Sequence, residues 1–356
     1  MSQLTAGRIN KQTVSMILGG LTSVYIGICS TAHTFLLHQY QDLFQAYEQS
    51  KKVSMSEELE QRYRQVLEDL NSDDADKDLS KVFMSIRPEP HHIGLSGSKY
   101  SFRIGLPLKF AYKSPQDINP NMKIESKYVD FGSEEGNLLR ESLVLSEKAQ
   151  KFAMGHEVLQ CDMVAYYLQL TYPTVGCFAG FFLGNKGYEM LQLYKKPFQA
   201  RIVFFTGISI FSYGLYILLK DKTQTALEEI SLTKLSALGR DYIEGGIEYF
   251  EKQLKINKAL RKLLHDGEST YAVTGNLNFF IRQKTLPLTY QRAFLEKKLL
   301  EEDKEEFVEH RQCFSGKRKM NSSLRLNTKS KCSPYHQPLQ SFTLIHQPGK
   351  PACLAR

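Results

Sequence analysis

The chain has 356 residues, a formal charge of +8 and a mean hydropathy of −0.34. That hydropathy excludes a compact transporter made mostly of lipid-facing helix, and the length leaves room for soluble regions with cores of their own. The basic balance does not point to nucleic acid, because Lys and Arg are spread through helical patterns alongside Asp and Glu, the far C-terminus excepted.

Three uncharged stretches organise the rest: residues 13–37, 163–183 and 202–219. They compare with the roughly 20 apolar residues that a spanning helix needs. Residues 1–12 form a basic start with Arg8 and Lys11, and no acid precedes Asp42. A cleaved secretory signal is one reading, with Ser30, Thr31 and Ala32 as small residues for cleavage. The first apolar stretch exceeds the 7–15 residues of a typical signal core, which favours an uncleaved anchor. An acid-free basic start also suits mitochondrial import.

Residues 38–162 read as a soluble α+β domain. Residues 39–70 are helical in pattern, Ser54 and Glu57 have capping-box spacing, and Leu59, Tyr63, Val66, Leu67 and Leu70 form one apolar stripe. Residues 82–86 predict a short strand. Phe102, Ile104, Leu106, Leu108, Phe110 and Tyr112 alternate and predict another, with Pro107 at an edge or bulge. From Ser133 a helical face through Leu138, Leu139, Ser142, Leu145, Ala149, Phe152, Ala153 and Val158 leads towards the second span. A short loop, 184–201, joins the second and third spans. Residues 220–310 form a helical C-terminal region, with a long amphipathic pattern over 223–265 interrupted at Gly245 and Gly246, and a charged helix over 290–310. Residues 311–356 hold nine Lys/Arg and no Asp/Glu, and predict a disordered basic tail.

The sharpest motif is Gly176, Gly180 and Gly184, a small-xxx-small ladder on one face of the second span. Such faces let helices approach closely in lipid. Gly207 and Gly214 offer a comparable face on the third span, so these five glycines are the helix-packing candidates. The ladder serves either this hairpin or another protein. No Asp, Glu, Lys or Arg lies in any span, which disfavours a carrier or proton relay. The loop carries Lys186, Lys195, Lys196 and Arg201 against Glu189, yet the region after the third span is also basic, so orientation across the membrane stays open.

Enzyme signatures fail. His156 and Glu157 open like H-E-x-x-H, but Gln160 stands where the second His belongs. His91 and His92, beside Pro88 and Pro90, read as surface loop. Cys29 and Cys177 lie in spans, Cys161 at a boundary, and Cys313, Cys332 and Cys353 in the tail, so neither a zinc site nor a disulfide framework is indicated. No catalytic residue, cofactor or metal is expected. The fold class is an α-helical membrane protein with three transmembrane helices, a small α+β soluble domain between spans 1 and 2, and a helical C-terminal region. Lipid is the expected surrounding.

Residues 140–153 (RESLVLSEKAQKFA), with Glu157 and Val158, resemble the helix before the second span of the transmembrane protein 177 family. Residues 245–252 (GGIEYFEK), then Asn257, Ala259, Leu260, Arg261, Leu263, Leu264, Thr274, Gly275 and Asn276, resemble its C-terminal helical segment. The resemblance covers roughly residues 10 to 300, and the tail after about Arg311 departs from it. It implies a multi-pass protein of the mitochondrial inner membrane that acts without enzymatic activity in cytochrome c oxidase assembly and respiratory chain biogenesis. The implied partners are cytochrome c oxidase assembly protein 20 and newly made cytochrome c oxidase subunit 2, which it would stabilise. The resemblance carries no site residues over. The competing expectation is a membrane-anchored enzyme with its active site in the α+β domain, which a concave pocket with converging His, Asp or Glu would favour.

Overall fold

The computed structural model describes residues 11–279 and 282–323, and most of the basic tail therefore lies outside the described residues. In chain order the elements are α1 (Lys11–Ala32), α2 (Leu37–Asp42), β1 (Tyr47–Glu48), β2 (Lys51–Lys52), α3 (Glu57–Asp69), α4 (Asp74–Leu79), β3 (Lys81–Ser85), β4 (His91–Gly94) and β5 (Phe102–Pro107). They continue with β6 (Lys123–Ile124), β7 (Lys127–Tyr128), α5 (Glu134–Ser142), α6 (Glu147–Gln160), α7 (Met163–Met190), α8 (Phe198–Ser236), α9 (Arg240–Leu263), α10 (Gly267–Thr270) and α11 (Leu288–Ser323). The described residues are mostly helical, with one three-stranded sheet and two small hairpins among them. Residues 311–323 thus lie in α11 rather than in a structureless tail. Among the described residues, those beyond Lys304 form a separate unit.

The soluble part is built around α6. One of its faces, with Ala149, Ala153, Met154 and Val158, packs on α3 and on Phe102, Ile104 and Leu106 of β5. Phe152 on the other face packs with Leu232 and Leu235 of α8, Ile243 and Phe250 of α9, and Leu295. The regions before the second apolar stretch and after the third therefore share a core rather than building two.

Several expected elements differ in detail. The helical pattern over 39–70 is divided by the β1–β2 hairpin, because Ala46 N–H donates to Met84 O and Ile86 N–H to Phe44 O, which ties this stretch to β3. The cap of α3 is Ser56, whose hydroxyl accepts from Leu59 N–H, and not Ser54. In the sheet β5 is central, parallel to β3 and antiparallel to β4. Pro107 is its last residue, opposite Ser85, and a 3-10 turn over Leu108–Ala111 follows. Pro107 is thus neither at a sheet edge nor in a bulge, and the strand stops there instead of reaching Tyr112. The helix expected from Ser133 onward is two, each capped by a serine: Ser133 accepts from Gly136 N–H and Ser146 from Ala149 N–H.

The long pattern over 223–265 breaks at Gly239 (φ 115°), a left-handed value that a side chain resists. Gly245 and Gly246 instead lie within α9, against the Lys148 carbonyl and the Phe152 ring respectively. That close seat is why the dipeptide sits mid-helix despite its poor helix propensity.

Among the described residues, two helices are long and apolar enough to cross a membrane, Thr13–Ala32 and Phe198–Ser236. Their apolar side chains point outward: Ile28 is 68 % exposed and Val203 72 %. α7 is also long, with 28 residues, but its tyrosines, Gln169 and Pro173 make it less apolar. It lies against both. Tyr166 Oη donates to Cys29 O of α1 (3.0 Å), and Tyr172 Oη meets Thr223 Oγ1 of α8 (2.6 Å).

Filling the α6–α9 contact tests this arrangement. A Cβ at Gly245 would overlap backbone that has no rotamer to yield, so Gly245→Ala should destabilise the protein by about 1–3 kcal/mol, as overpacking does. Thermal unfolding in detergent reads the loss. Gly207→Ala, where a Cβ meets nothing within 4 Å, is the matched control.

Candidate functional site

Two features stand out: the seam between α7 and α8, and a polar cavity in the soluble core. The seam uses the predicted ladder. A Cβ at Gly176 would stand 2.9 Å from Ser212 O, one at Gly180 would overlap the Ser212 hydroxyl, and one at Gly184 would touch Phe205 at 3.5 Å and Ile208 at 3.8 Å. Gly187, one turn on, faces the Phe204 ring and extends the seam; only its spacing after Gly184 hints at this in the sequence.

Gly207 and Gly214 do not join it. A Cβ at either would meet nothing within 4 Å. The face of α8 turned to α7 carries Phe205, Ile208, Ser212 and Tyr216, spaced three and four apart, and the glycine pair falls on another face. Ser212 Oγ donates to Ile208 O within α8 (2.8 Å), so its polar atom is satisfied inside the bundle. An apolar groove of about 620 Å³ runs along the seam, lined by Gly180, Phe181, Ile208, Tyr213 and Tyr216, with Leu18 of α1.

The polar cavity measures about 580 Å³ and lies between α6, α8, α9 and the segment leading into α11. His156 and Glu157 of α6, Glu228 of α8, and Gln253 and Asn257 of α9 line it. Glu157 Oε2 lies 3.0 Å from His92 Nδ1, and its other oxygen is 3.9 Å from His156. Burial acts to raise the Glu157 carboxyl, but the bonds from His156 and His92 outweigh it and hold the group at about 2. Glu228 accepts from Leu286 N–H (2.6 Å) and from the Gln224 amide (3.3 Å). Arg282 on the same wall is committed to Asp221, at 2.9 and 3.0 Å. Deeper in, Lys109 Nζ donates to Gln253 Oε1 (3.0 Å), and burial pushes that ammonium down to about 8 against the partial support of Glu89.

His91 and His92 belong to β4 and not to a surface loop. His91 is buried, packed edge-on to Phe44 and Phe83, and burial followed by the Arg87 charge lowers it to about 4. It faces Gly105 of β5 so closely that a Cβ there would overlap the imidazole, which is why the central strand carries a glycine at this register. His92 turns to α6, and this is how the truncated H-E-x-x-H motif finds a second histidine from a distant strand. The set does not make a metal site: among the described residues no group of three or more His, Cys, Asp or Glu is arranged to hold an ion.

Long outward-facing apolar helices rooted in one soluble core define a membrane-anchored helical protein. The chain belongs to the transmembrane protein 177 family, whose family model, described as Transmembrane protein 177, matches residues 92–292. Transmembrane protein 177 of Rattus norvegicus is 30 % identical over 291 residues, 81 % of this chain and 92 % of that one. The Mus musculus protein is 29 % identical over 295 residues, 82 % and 94 % of the two chains. The Danio rerio protein is 32 % identical over 255 residues, 69 % and 80 %. No solved structure matches.

The seam predicts a contrast. Gly180→Val should lower the unfolding temperature and expose α7 to proteolysis, whereas Gly207→Val should leave both unchanged; equal effects would place the packing face elsewhere. The cavity predicts an acid dependence. The Glu157 carboxyl sits at about 2 against an ordinary 4.5, so its contribution is whole above pH 4.5 and fades as pH falls towards 2. Urea unfolding across that window should show a steeper acid loss for the wild type than for Glu157→Gln.

Proposed function

We propose that this protein is a non-enzymatic assembly and stability factor of the mitochondrial inner membrane, supporting newly made cytochrome c oxidase subunit 2 together with cytochrome c oxidase assembly protein 20. The observation that carries the reading is membership of the transmembrane protein 177 family, joined to the resemblance that links that family to oxidase biogenesis. The architecture suits it. An uncharged helical bundle leaves apolar side chains such as Val203 and Ile210 turned outward, open to a neighbouring helix. α8 continues without a break from its apolar stretch into the soluble core, where Leu232 and Leu235 are fully buried. A client seated on the bundle is therefore rigidly coupled to the core.

In this reading α7 is a third span. It lies between α1 and α8 along the same length, and its charge-free part runs from residue 163 to 185. Three crossings put the N-terminus and the 191–197 connection on one side and the soluble core on the other.

The second reading, a membrane-anchored enzyme, is favoured by the concave cavity that brings His156, Glu157 and Glu228 together. The experiment that separates them is recovery of the tagged protein from detergent-solubilised mitochondria after pulse-labelling of mitochondrial translation. Selective capture of new oxidase subunit 2 that fades during the chase is the expected result. Capture of no translation product by a protein confirmed in that membrane would overturn the assembly reading and advance the enzyme.

A further inference from the structure

The polar cavity holds more acceptors than the protein supplies with donors. Glu228 is only 4 % exposed, and among the described residues it has hydrogen-bond donors but no Lys or Arg partner. Burial pushes its carboxyl upward against the bonds from Leu286 N–H (2.6 Å) and the Gln224 amide, so its charge lacks the partner that would support it. Gln291 is 5 % exposed and spends its amide N–H on Leu286 O at 3.0 Å, while its Oε1 is buried without any partner. His156 Nε2 is likewise buried and unpartnered. Glu157 adds a second carboxylate, with only imidazoles beside it. All four side chains line the same space, and the arginine on that wall is already bound to Asp221. Buried acceptors left without donors are costly, and buried carboxylates left without cations more so.

From this we infer that the cavity is a binding site for a cationic side chain presented by a polypeptide, with an arginine guanidinium as the best match. A guanidinium brings five N–H donors in one plane, enough for two carboxylates and the Gln291 and His156 acceptors together. Tyr249, Phe250 and Phe279 line the cavity too and offer apolar and aromatic surface to the methylene stem and the face of the cation.

Position argues for the source. Glu228 lies nine residues beyond Leu219, about 13 Å at 1.5 Å per residue, and Glu157 six residues before Met163. The cavity thus stands just outside the apolar zone, at the height where transmembrane helices carry their flanking Lys and Arg. A client helix resting on the bundle would present such a residue here. The choice of a polypeptide as the source rests on the assembly-factor reading; the cation preference does not.

The test uses the full chain in detergent micelles and a fluorescein-labelled peptide of glycines and serines with one central arginine. Its partner probe carries citrulline, the uncharged isostere, at that position. The arginine peptide should bind saturably by anisotropy, and both the citrulline peptide and Glu228→Gln should weaken binding roughly tenfold or more, as loss of a charge-assisted pair does. Equal binding of the two peptides, or no saturation by either, overturns the inference, and this comparison needs no variant to fold. Displacement by free arginine amide at concentrations equal to the peptide would overturn the polypeptide source. A protein that captures new subunit 2 but ignores the arginine–citrulline difference sinks the cavity assignment alone. One that discriminates the peptides but captures no translation product sinks the assembly reading alone.

Discussion

The α6–α9 contact holds the described part of the molecule together. α6 comes from the segment before the second apolar stretch and α9 from the segment after the third. Phe152 sits between them with Ile243, Phe250 and Leu295 around it. The two helices approach because Gly245 and Gly246 carry no side chain where the Lys148 carbonyl and the Phe152 ring must lie. Burial of a phenylalanine contributes about 1.5–3 kcal/mol by area alone, and several such residues meet here. Because of this contact, the helices entering and leaving the apolar zone are rooted in a single core, and the angle between α7 and α8 is set at their soluble ends as well as along their seam.

Along that seam the balance of forces changes. The α7–α8 seam rests on close backbone approach with satisfied polar atoms, the kind of packing that holds helices together where hiding apolar area gains little. Gly176 admits the Ser212 carbonyl, and Gly180 admits its hydroxyl, which is already bonded within its own helix. Near the soluble core the seam becomes polar, with the Tyr172–Thr223 pair. The gradient runs from glycine packing to hydrogen bonding to a hydrophobic core, and each mode works in the medium where it is strongest.

Much of this was legible in the sequence, and the failures have a common cause. The charge-free stretches and the 176/180/184 spacing follow from composition and helical period; the first stretch, expected over 13–37, ends as a helix at Ala32 with a turn after it, while the three glycines lie against α8. Gly207 and Gly214 share the period but not the contact, because periodicity says which residues share a face and not which face meets a partner. The 39–70 pattern was divided because residues 44–46 pair with β3, a non-local bond that outweighs helix propensity. The cavity was out of reach altogether. Its walls come from the turn before β4, from α6, α8 and α9, and from the segment leading into α11 with that helix's first turn, and no spacing rule joins residues so far apart. The nearest signal was the incomplete H-E-x-x-H motif. Its missing histidine is supplied in space by His92, as a partner to the carboxylate and not as a metal ligand.

The cavity also raises a question of stability that its composition sharpens. Buried ionic groups seldom stabilise a fold over well-packed apolar residues of the same volume, and frequently do worse. A protein that needed only to join α6, α8 and α9 would gain by filling this space with leucine. Instead it keeps Glu157 ionised with two histidines, bonds Glu228 to a backbone N–H, and leaves the Gln291 carbonyl unmatched. The surroundings are not short of cations. Arg282 lines the wall and is paired with Asp221. Lys109 is near enough to feel Glu89, yet Gln253 takes its proton donor. Both of these cations are thus paired with other groups of the protein. The net effect is a cavity that keeps two buried carboxyl groups and unpaired acceptors at some expense in stability, an expense that a bound cationic side chain would offset.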